Sequence, residues 1–139
     1  MSQNKLCLES VKIVLDGNTI LSDVNLDISD GDIVSIMGSS ASGKTSLIRS
    51  IAGYQSVDNG TIKIDGNIVD DSKLSIDVSK RNIGVIFQDL ALFPHLTVRQ
   101  NIIFGLHNHP KNYQEERSSI LEAMLNITEI KDRYPHQIS

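Results

Sequence analysis

The sequence predicts an α/β protein with an antiparallel, β-rich edge, a central phosphate-binding loop and a mostly helical second half. Three observations carry this. Short alternating apolar stretches open the chain, as at Val24, Leu26 and Ile28 between Asn25 and Asp27. A continuous apolar run, Ile33 to Met37, leads into the glycine-rich stretch IMGSSASGKTSL and then a helical pattern. A second apolar run, Ile83 to Phe87, is followed by helix-start signals rather than further strands.

Taken in order, Leu6, Leu8 and Val11 open a strand, and Asp16-Gly17-Asn18 turns the chain. Val24 to Ile28 is the returning strand, closed by Asp30-Gly31-Asp32. Ile33 to Met37 has the composition of a strand buried on both faces. A helix is expected from Lys44 to Ala52, with Gly53 at its left-handed C-terminal cap. Asp58-Asn59-Gly60 and Gly66-Asn67 flank Thr61 to Asp65 as the turns of a small meander. Asp70 to Ser79 is polar and reads as a loop, and Ile83 to Phe87 as a second buried strand. Thr97 with Gln100 has capping-box spacing for a helix that Gly105 stops. Asn112 with Glu115 repeats that spacing for a helix to about Leu125, and a short helix over Thr128 to Tyr134 ends against Pro135.

Bulk properties narrow the function. The 139 residues suit one ordinary domain, and 40% hydrophobic with 22% charged content is globular. A formal net charge of −4 gives no basic surface for nucleic acid. A single cysteine, Cys7, excludes an internal disulfide, makes a reducing compartment the default and reads as a small apolar strand residue. The first ten residues lack the charged and apolar regions of a secretory signal. No apolar run reaches the ~18 residues of a membrane span, so any membrane role is expected to be peripheral.

Gly38, Ser39, Ser40, Ala41, Ser42, Gly43, Lys44 and Thr45 fit G-x-x-x-x-G-K-[ST]. Glycine at the two ends lets the backbone curl so that N–H groups point inward, toward an anion at the positive end of the following helix. Lys44 is placed to reach β- and γ-phosphates, and the Thr45 hydroxyl to ligate Mg²⁺. Gln88 ends the second apolar run, at the sheet edge where ligands of open α/β folds bind. A glutamine there can hold Mg²⁺ or orient water, or it can be an ordinary solvated loop residue. His107 and His109 have no third ligand nearby and read as a solvated loop. Glu115, Glu116 and Arg117 read as a solvated helix face. Asp58, Asn59 and Gly60 are expected to be turn residues and nothing more.

With these residues in view, the chain resembles the ATP-binding subunit of an ABC transporter, of the prokaryotic importer type. VLDGNTILSDVNLDISDGDIVSIMGSSASGKTSLIRSIAGYQSVDNGTIKIDG is similar to the family's β subdomain, Walker A loop and hairpin. RNIGVIFQDLALFPHLTVRQNIIFGL resembles its Q-loop stretch, and RYPHQIS the approach to its signature motif, whose first two residues would be Ile138 and Ser139. The resemblance implies one incomplete domain: residues 1–88 as β subdomain and P-loop core, 89–139 as Q-loop and start of a helical subdomain. It implies ATP and Mg²⁺ as ligands, with Gly38 to Ser46 around the phosphates, Lys44 stabilising charge on the transferring group, and Thr45 and Gln88 on the metal. Gln88 would also help to place the attacking water. Alignment through LSDVNLDI puts Leu15, or Val14, where the family has an adenine-stacking aromatic.

The implied setting is the cytoplasmic face of the cell membrane. The partners would be a permease docked through Gln88 to Phe104, a second ATPase subunit head to tail and, indirectly, a solute-binding protein. Within that segment Leu92, Phe93 and Leu96 are apolar docking candidates and His95 belongs to a loop that moves with the γ-phosphate. Ferric iron is the first-choice solute, with polyamine, sulfate, thiamine or phosphonate as alternatives. The rest of the signature, the Walker B aspartate, the catalytic glutamate and the switch histidine are not among these residues, so the isolated chain is expected to bind nucleotide weakly at best without turning it over. A rival reading is a non-catalytic module that docks a permease or an intact subunit. A different P-loop enzyme, such as a small kinase, would need an acceptor pocket for which no residues stand out.

Overall fold

The computed structural model describes residues 4–87 and 91–138. It divides into two compact units, Met1–Val85 and Ile86–Ser139.

The first unit is a four-stranded antiparallel sheet with one helix. Strand β1 (Asn4–Leu15) turns at Asp16-Gly17 into β2 (Asn18–Ser29); β3 (Asn59–Ile64) and β4 (Asn67–Asp71) complete the order β2-β1-β3-β4. In register, Leu8 lies opposite Leu26 on one side and Ile62 on the other. Leu8, Val11, Ile13, Ile62 and Val69 form the core, with Leu47 and Val57 from outside the sheet. Each such side chain contributes roughly 1.5–3 kcal/mol by leaving water. Helix α1 (Lys44–Ala52) occupies the predicted span, and Gly53 caps it at φ 92°, donating to Arg49 O at 3.0 Å and Ser50 O at 3.2 Å.

Gly60 is more than a turn residue. It lies inside β3 at φ 85°, where a Cβ would sit 2.4 Å from Ser10 O and 2.5 Å from Glu9 O. The β1 bulge, with Ser10 at φ 47°, therefore packs on bare backbone. Asp58 is likewise more than a turn: its carboxylate accepts the Val14 N–H.

The two runs expected as buried strands are not strands. Ile33 to Met37 is irregular and unpaired with any described strand, with Ile33 fully exposed (100%). Ile83 to Phe87 is also irregular, with Ile86 94% exposed. A parallel strand is held by hydrogen bonds from a neighbour and by cover on both faces. Neither run pairs with any described strand, so apolar composition alone leaves them open. The α/β class stands, with the antiparallel edge formed. The polar stretch Asp70 to Ser79 is not simply a loop either. Asp70 belongs to β4 and is fully buried against Arg81, and Val78–Lys80 is a 3₁₀ turn capped by the Asp77 carboxylate.

In the second unit, α2 (Val98–Ile103) begins with the predicted capping box: Gln100 N–H donates to Thr97 Oγ1 at 3.3 Å, and Thr97 N–H to Gln100 Oε1 at 2.8 Å. It runs into a 3₁₀ turn, Phe104–Leu106, containing Gly105. Helix α3 (Lys111–Met124) starts after Pro110, so Asn112 lies inside it and forms no cap. Pro110 is the N-cap residue, and its carbonyl accepts the first helical bond, from Gln114 N–H at 3.1 Å. The helix expected over Thr128 to Tyr134 contracts to a 3₁₀ turn, Thr128–Ile130, closed by i→i+3 bonds such as Ile130 N–H to Ile127 O at 3.0 Å. Glu115, Glu116 and Arg117 are exposed as expected, while Ser118 and Glu122 are buried.

Candidate phosphate site and loop surface

The glycine-rich loop owes its shape to three residues. Gly43 sits at φ 90° immediately before α1, and a Cβ there would lie 2.7 Å from Leu21 Cδ2 and 3.1 Å from Ile20 Cγ2. Strand β2 thus packs directly under the loop. Ala41 is also left-handed, at φ 62°. A Cβ on Gly38 would stand 2.8 Å from Ser42 Oγ, so the loop closes on itself at its other glycine.

Lys44 folds into this ring. Its Nζ donates to Gly38 O at 2.9 Å, Ser39 O at 2.6 Å and Ser42 Oγ at 3.3 Å. An ammonium has three protons, and three loop acceptors meet them here. The first intrahelical bond of α1 runs from Leu47 N–H to Gly43 O at 2.9 Å. The N–H groups of Gly43, Lys44, Thr45 and Ser46 therefore have no intrahelical acceptor. No side chain caps this end and no acidic residue occupies the first turn. Free amides, a cation and the positive helix end create a locus for a multiply charged anion. A cavity of about 260 Å³ opens there, lined by Ile20, Ala41, Ser42, Gly43, Lys44, Thr45 and Ser46.

Among the expected site residues, Gly38 to Ser46 are brought together as one loop and helix start. Thr45 is exposed in the first turn, where its hydroxyl is free to meet a cation held by phosphate. Leu15, the expected base contact, is exposed at the end of β1 and does not line this cavity; the apolar wall is Ile20 of β2. Alternation in β2 marks Ile20 as partly buried, but nothing local in the sequence ties it to the loop. Gln88 lies outside the described residues. Among the described residues there is no group of three or more His, Cys, Asp and Glu that could hold a metal ion. The Cys7 thiol is pushed up to about 11, first by hydrogen bonding with Asp27 and then by burial, which makes it inert as a thiolate.

In the second unit, the stretch from Phe93 to Thr97 is held by Asn101. Its Oδ1 accepts Phe93 N–H at 2.9 Å, and its Nδ2 donates to Phe93 O at 3.2 Å, Leu96 O at 3.1 Å and Thr97 O at 3.0 Å. Phe93 packs on Phe104 with ring centroids 4.2 Å apart and meets His95 edge-on at 6.0 Å. Leu92 and Phe93 remain exposed. They border an apolar groove of about 330 Å³ that also includes Val98, Ile102, Ile127 and Ile138. In the same unit, Arg99 grips Glu122 with two bonds, Nε to Oε1 at 2.6 Å and Nη2 to Oε2 at 2.7 Å, and Ser118 Oγ adds a third at 2.6 Å. The Arg99 guanidinium, with help from Ser118, lowers the Glu122 carboxyl to about 2.

Loop, lysine and helix start together define a P-loop domain, the class that cradles nucleotide phosphates. The particular family follows from comparison: the ABC transporter family model matches residues 21–139, and the chain belongs to that family. Over 123 residues it is 44% identical to the sulfate/thiosulfate import ATP-binding protein of Synechocystis, covering 87% of this chain and 34% of the relative. It is 39% identical to the spermidine/putrescine import ATP-binding protein of Haemophilus influenzae, covering 99% of this chain and 37% of the relative. It is 40% identical to the Fe(3+) ions import ATP-binding protein of Fusobacterium nucleatum, covering 88% and 32%. The chain thus spans about a third of the length of these relatives. Among solved structures, cbiO1 of Clostridium perfringens, part of the cbiONQ ABC transporter complex, superposes with a TM-score of 0.81 at 27% identity, covering 99% of this chain and 56% of that one. A dimeric ATP-binding cassette in a post-hydrolysis state, bound to ADP and Pi, gives 0.78 at 25% identity, covering 96% and 63%.

Proposed function

We propose that this chain is the phosphate-binding part of the ATP-binding subunit of an ABC importer. The observation that carries the reading is the convergence of Lys44 Nζ and the uncapped α1 amides on one loop. In this reading the amides of Gly43 to Ser46 and Lys44 hold the nucleotide phosphates. Lys44 trades one or more of its loop contacts for phosphate oxygens, which costs little because each bond lost is replaced by a charge-assisted one. Thr45 supplies a hydroxyl ligand for Mg²⁺, and Gln88 a neutral second ligand that also orients water. Mg²⁺, when bound, neutralises phosphate charge. Gly38 and Gly43 keep the loop small enough for backbone to reach the anion. Ile20, and Leu15 at the end of β1, offer apolar contact but no aromatic face, so most affinity comes from the phosphates.

In this reading the two units belong to one ATPase domain. The second presents Leu92, Phe93 and their groove to a permease, and a second ATPase subunit completes each nucleotide site. Such a subunit works at the cytoplasmic face of the membrane as a peripheral protein, served indirectly by a solute-binding protein. No helix among the described residues is long and apolar enough to cross a membrane. Ferric iron is the cargo we favour, supported by the importer-type run FQDLALFPHLTV and by the Fe(3+) relative; the sulfate and polyamine relatives, at 44% and 39% identity, keep those solutes as alternatives.

The family's Walker B aspartate and catalytic glutamate are not among these 139 residues, and we expect the isolated chain to bind nucleotide weakly at best without turning it over. Phosphate release measured under single-turnover conditions tests this. Release at background rate agrees; release abolished by Lys44→Ala contradicts it. The groove and the Asn101-held loop support a second reading, a docking module independent of nucleotide. Co-purification with a permease that survives Lys44→Ala would favour it.

A further inference from the structure

Arg81 has the largest fully buried side chain among the described residues, and its hydrogen-bond partners all lie outside Gly38 to Ser46. Its Nη1 donates to Ser50 O at 2.7 Å and Ile51 O at 3.2 Å, its Nε to Ile76 O at 2.8 Å, and its Nη2 to Ser75 Oγ at 3.2 Å and to the Asp70 carboxylate. Ser50 and Ile51 lie in the last turn of α1, where carbonyls outnumber the helical N–H donors; Ser50 O also accepts the Gly53 N–H at 3.2 Å. Gly53 makes the approach possible, since a Cβ there would lie 2.6 Å from Arg81 Nε. Asp70 in turn accepts Val57 N–H at 3.1 Å and the Ser75 hydroxyl at 2.8 Å. One guanidinium thereby ties the far end of α1 to β4 and to the loop after it.

We propose that Arg81 is a positioning residue for the phosphate loop, acting through α1. A nine-residue helix is about 13 Å of rigid rod, so its position at Ser50 and Ile51 sets its position at Gly43 to Ser46. Stability alone does not call for this arrangement. Apolar residues of similar volume often match a buried ion pair in stability, but they cannot fix two carbonyls in register. The inference rests on the phosphate-loop reading of Gly38 to Thr45, and its test separates the two.

The test uses the 139-residue chain in two variants. Arg81→Met with Asp70→Leu removes both buried charges and fills the space. Arg81→Lys keeps the charge but has no planar fork to span Ser50 O, Ile51 O and Ile76 O together. Backbone amide NMR without nucleotide reads the loop directly, and MgATP titration, normalised to the folded fraction from urea denaturation, reads its use. The expected result is displaced Gly43 to Ser46 resonances in both variants and MgATP affinity, per folded molecule, lowered about tenfold. Folded variants with wild-type resonances at Gly43 to Ser46 overturn the proposal. If the double variant fails to fold, the lysine variant decides alone. A wild-type chain that takes up no MgATP contradicts the functional reading, while the amide spectra still decide on Arg81.

Discussion

The Val14 amide donates to the Asp58 carboxylate at 2.6 Å, and the Asp58 amide donates back to Lys12 O at 2.9 Å. This reciprocal pair pins the end of β1, where Leu15 stands, to the segment that leaves α1. Asp58→Ala breaks the side-chain half and is expected to cost about 1 kcal/mol of stability. Asp58→Asn keeps an acceptor and should recover most of it. Urea denaturation followed by circular dichroism checks both, and equal midpoints for the alanine variant and wild type would contradict the assignment.

Gly60 and Gly66 form a matched test of backbone strain. Both have positive φ, 85° and 76°, but a Cβ at Gly60 meets Ser10 O while one at Gly66 meets nothing within 4 Å. Gly66→Ala should lose about 1–2 kcal/mol from the left-handed backbone alone. Gly60→Ala adds a clash with backbone that cannot swing aside, so its loss must be clearly larger. Similar denaturation midpoints for the two variants would refute the packing described for the β1 bulge.

Asn101 bonds in both directions with Phe93. Asn101→Asp keeps the acceptor for Phe93 N–H and loses the donor side to Phe93, Leu96 and Thr97 carbonyls. Amide exchange at Leu96, which donates to Phe93 O at 3.1 Å, should speed about tenfold in the aspartate variant, a loss of about 1.4 kcal/mol of local protection. Unchanged exchange would mean that the loop is held by something else.

The Arg99–Glu122 pair makes the second unit acid-sensitive in a defined window. The Glu122 carboxyl falls from its ordinary value of 4.5 to about 2 in the folded chain. A lowered folded value means that the unfolded chain takes up the proton first. The pair's contribution is therefore complete above about 4.5 and is lost as pH falls toward 2. Urea midpoints between pH 6 and pH 2.5 should fall for wild type, and Glu122→Gln should remove Glu122's share of that slope. An identical slope in the variant would contradict the pairing.

Much of this was legible in sequence where the signal is local. The span Lys44–Ala52, the Gly53 cap and the Thr97 capping box each depend on residues a few positions apart, and all are as read. The two apolar runs were misread because hydrophobicity records a capacity for burial, whereas a strand exists only beside a partner. Asp70 and Arg81 were missed because each looks like a surface charge within a polar stretch, and only the fold brings them together. Ile20 was missed for a similar reason: its place under the loop is set by how β2 packs on Gly43. Asn101, inside a short helix, gives no hint of bonding backward to Phe93.

The central claim is that Gly43 to Ser46 and Lys44 form a phosphate site. Titrating MgADP into isotope-labelled chain while following backbone amides tests it most directly. The account predicts saturable shifts concentrated at Gly43, Lys44, Thr45 and Ser46, weakened at least about tenfold by Lys44→Ala through loss of charge-assisted bonds. Shifts that leave these amides unmoved, or that persist undiminished in the alanine variant, would contradict it.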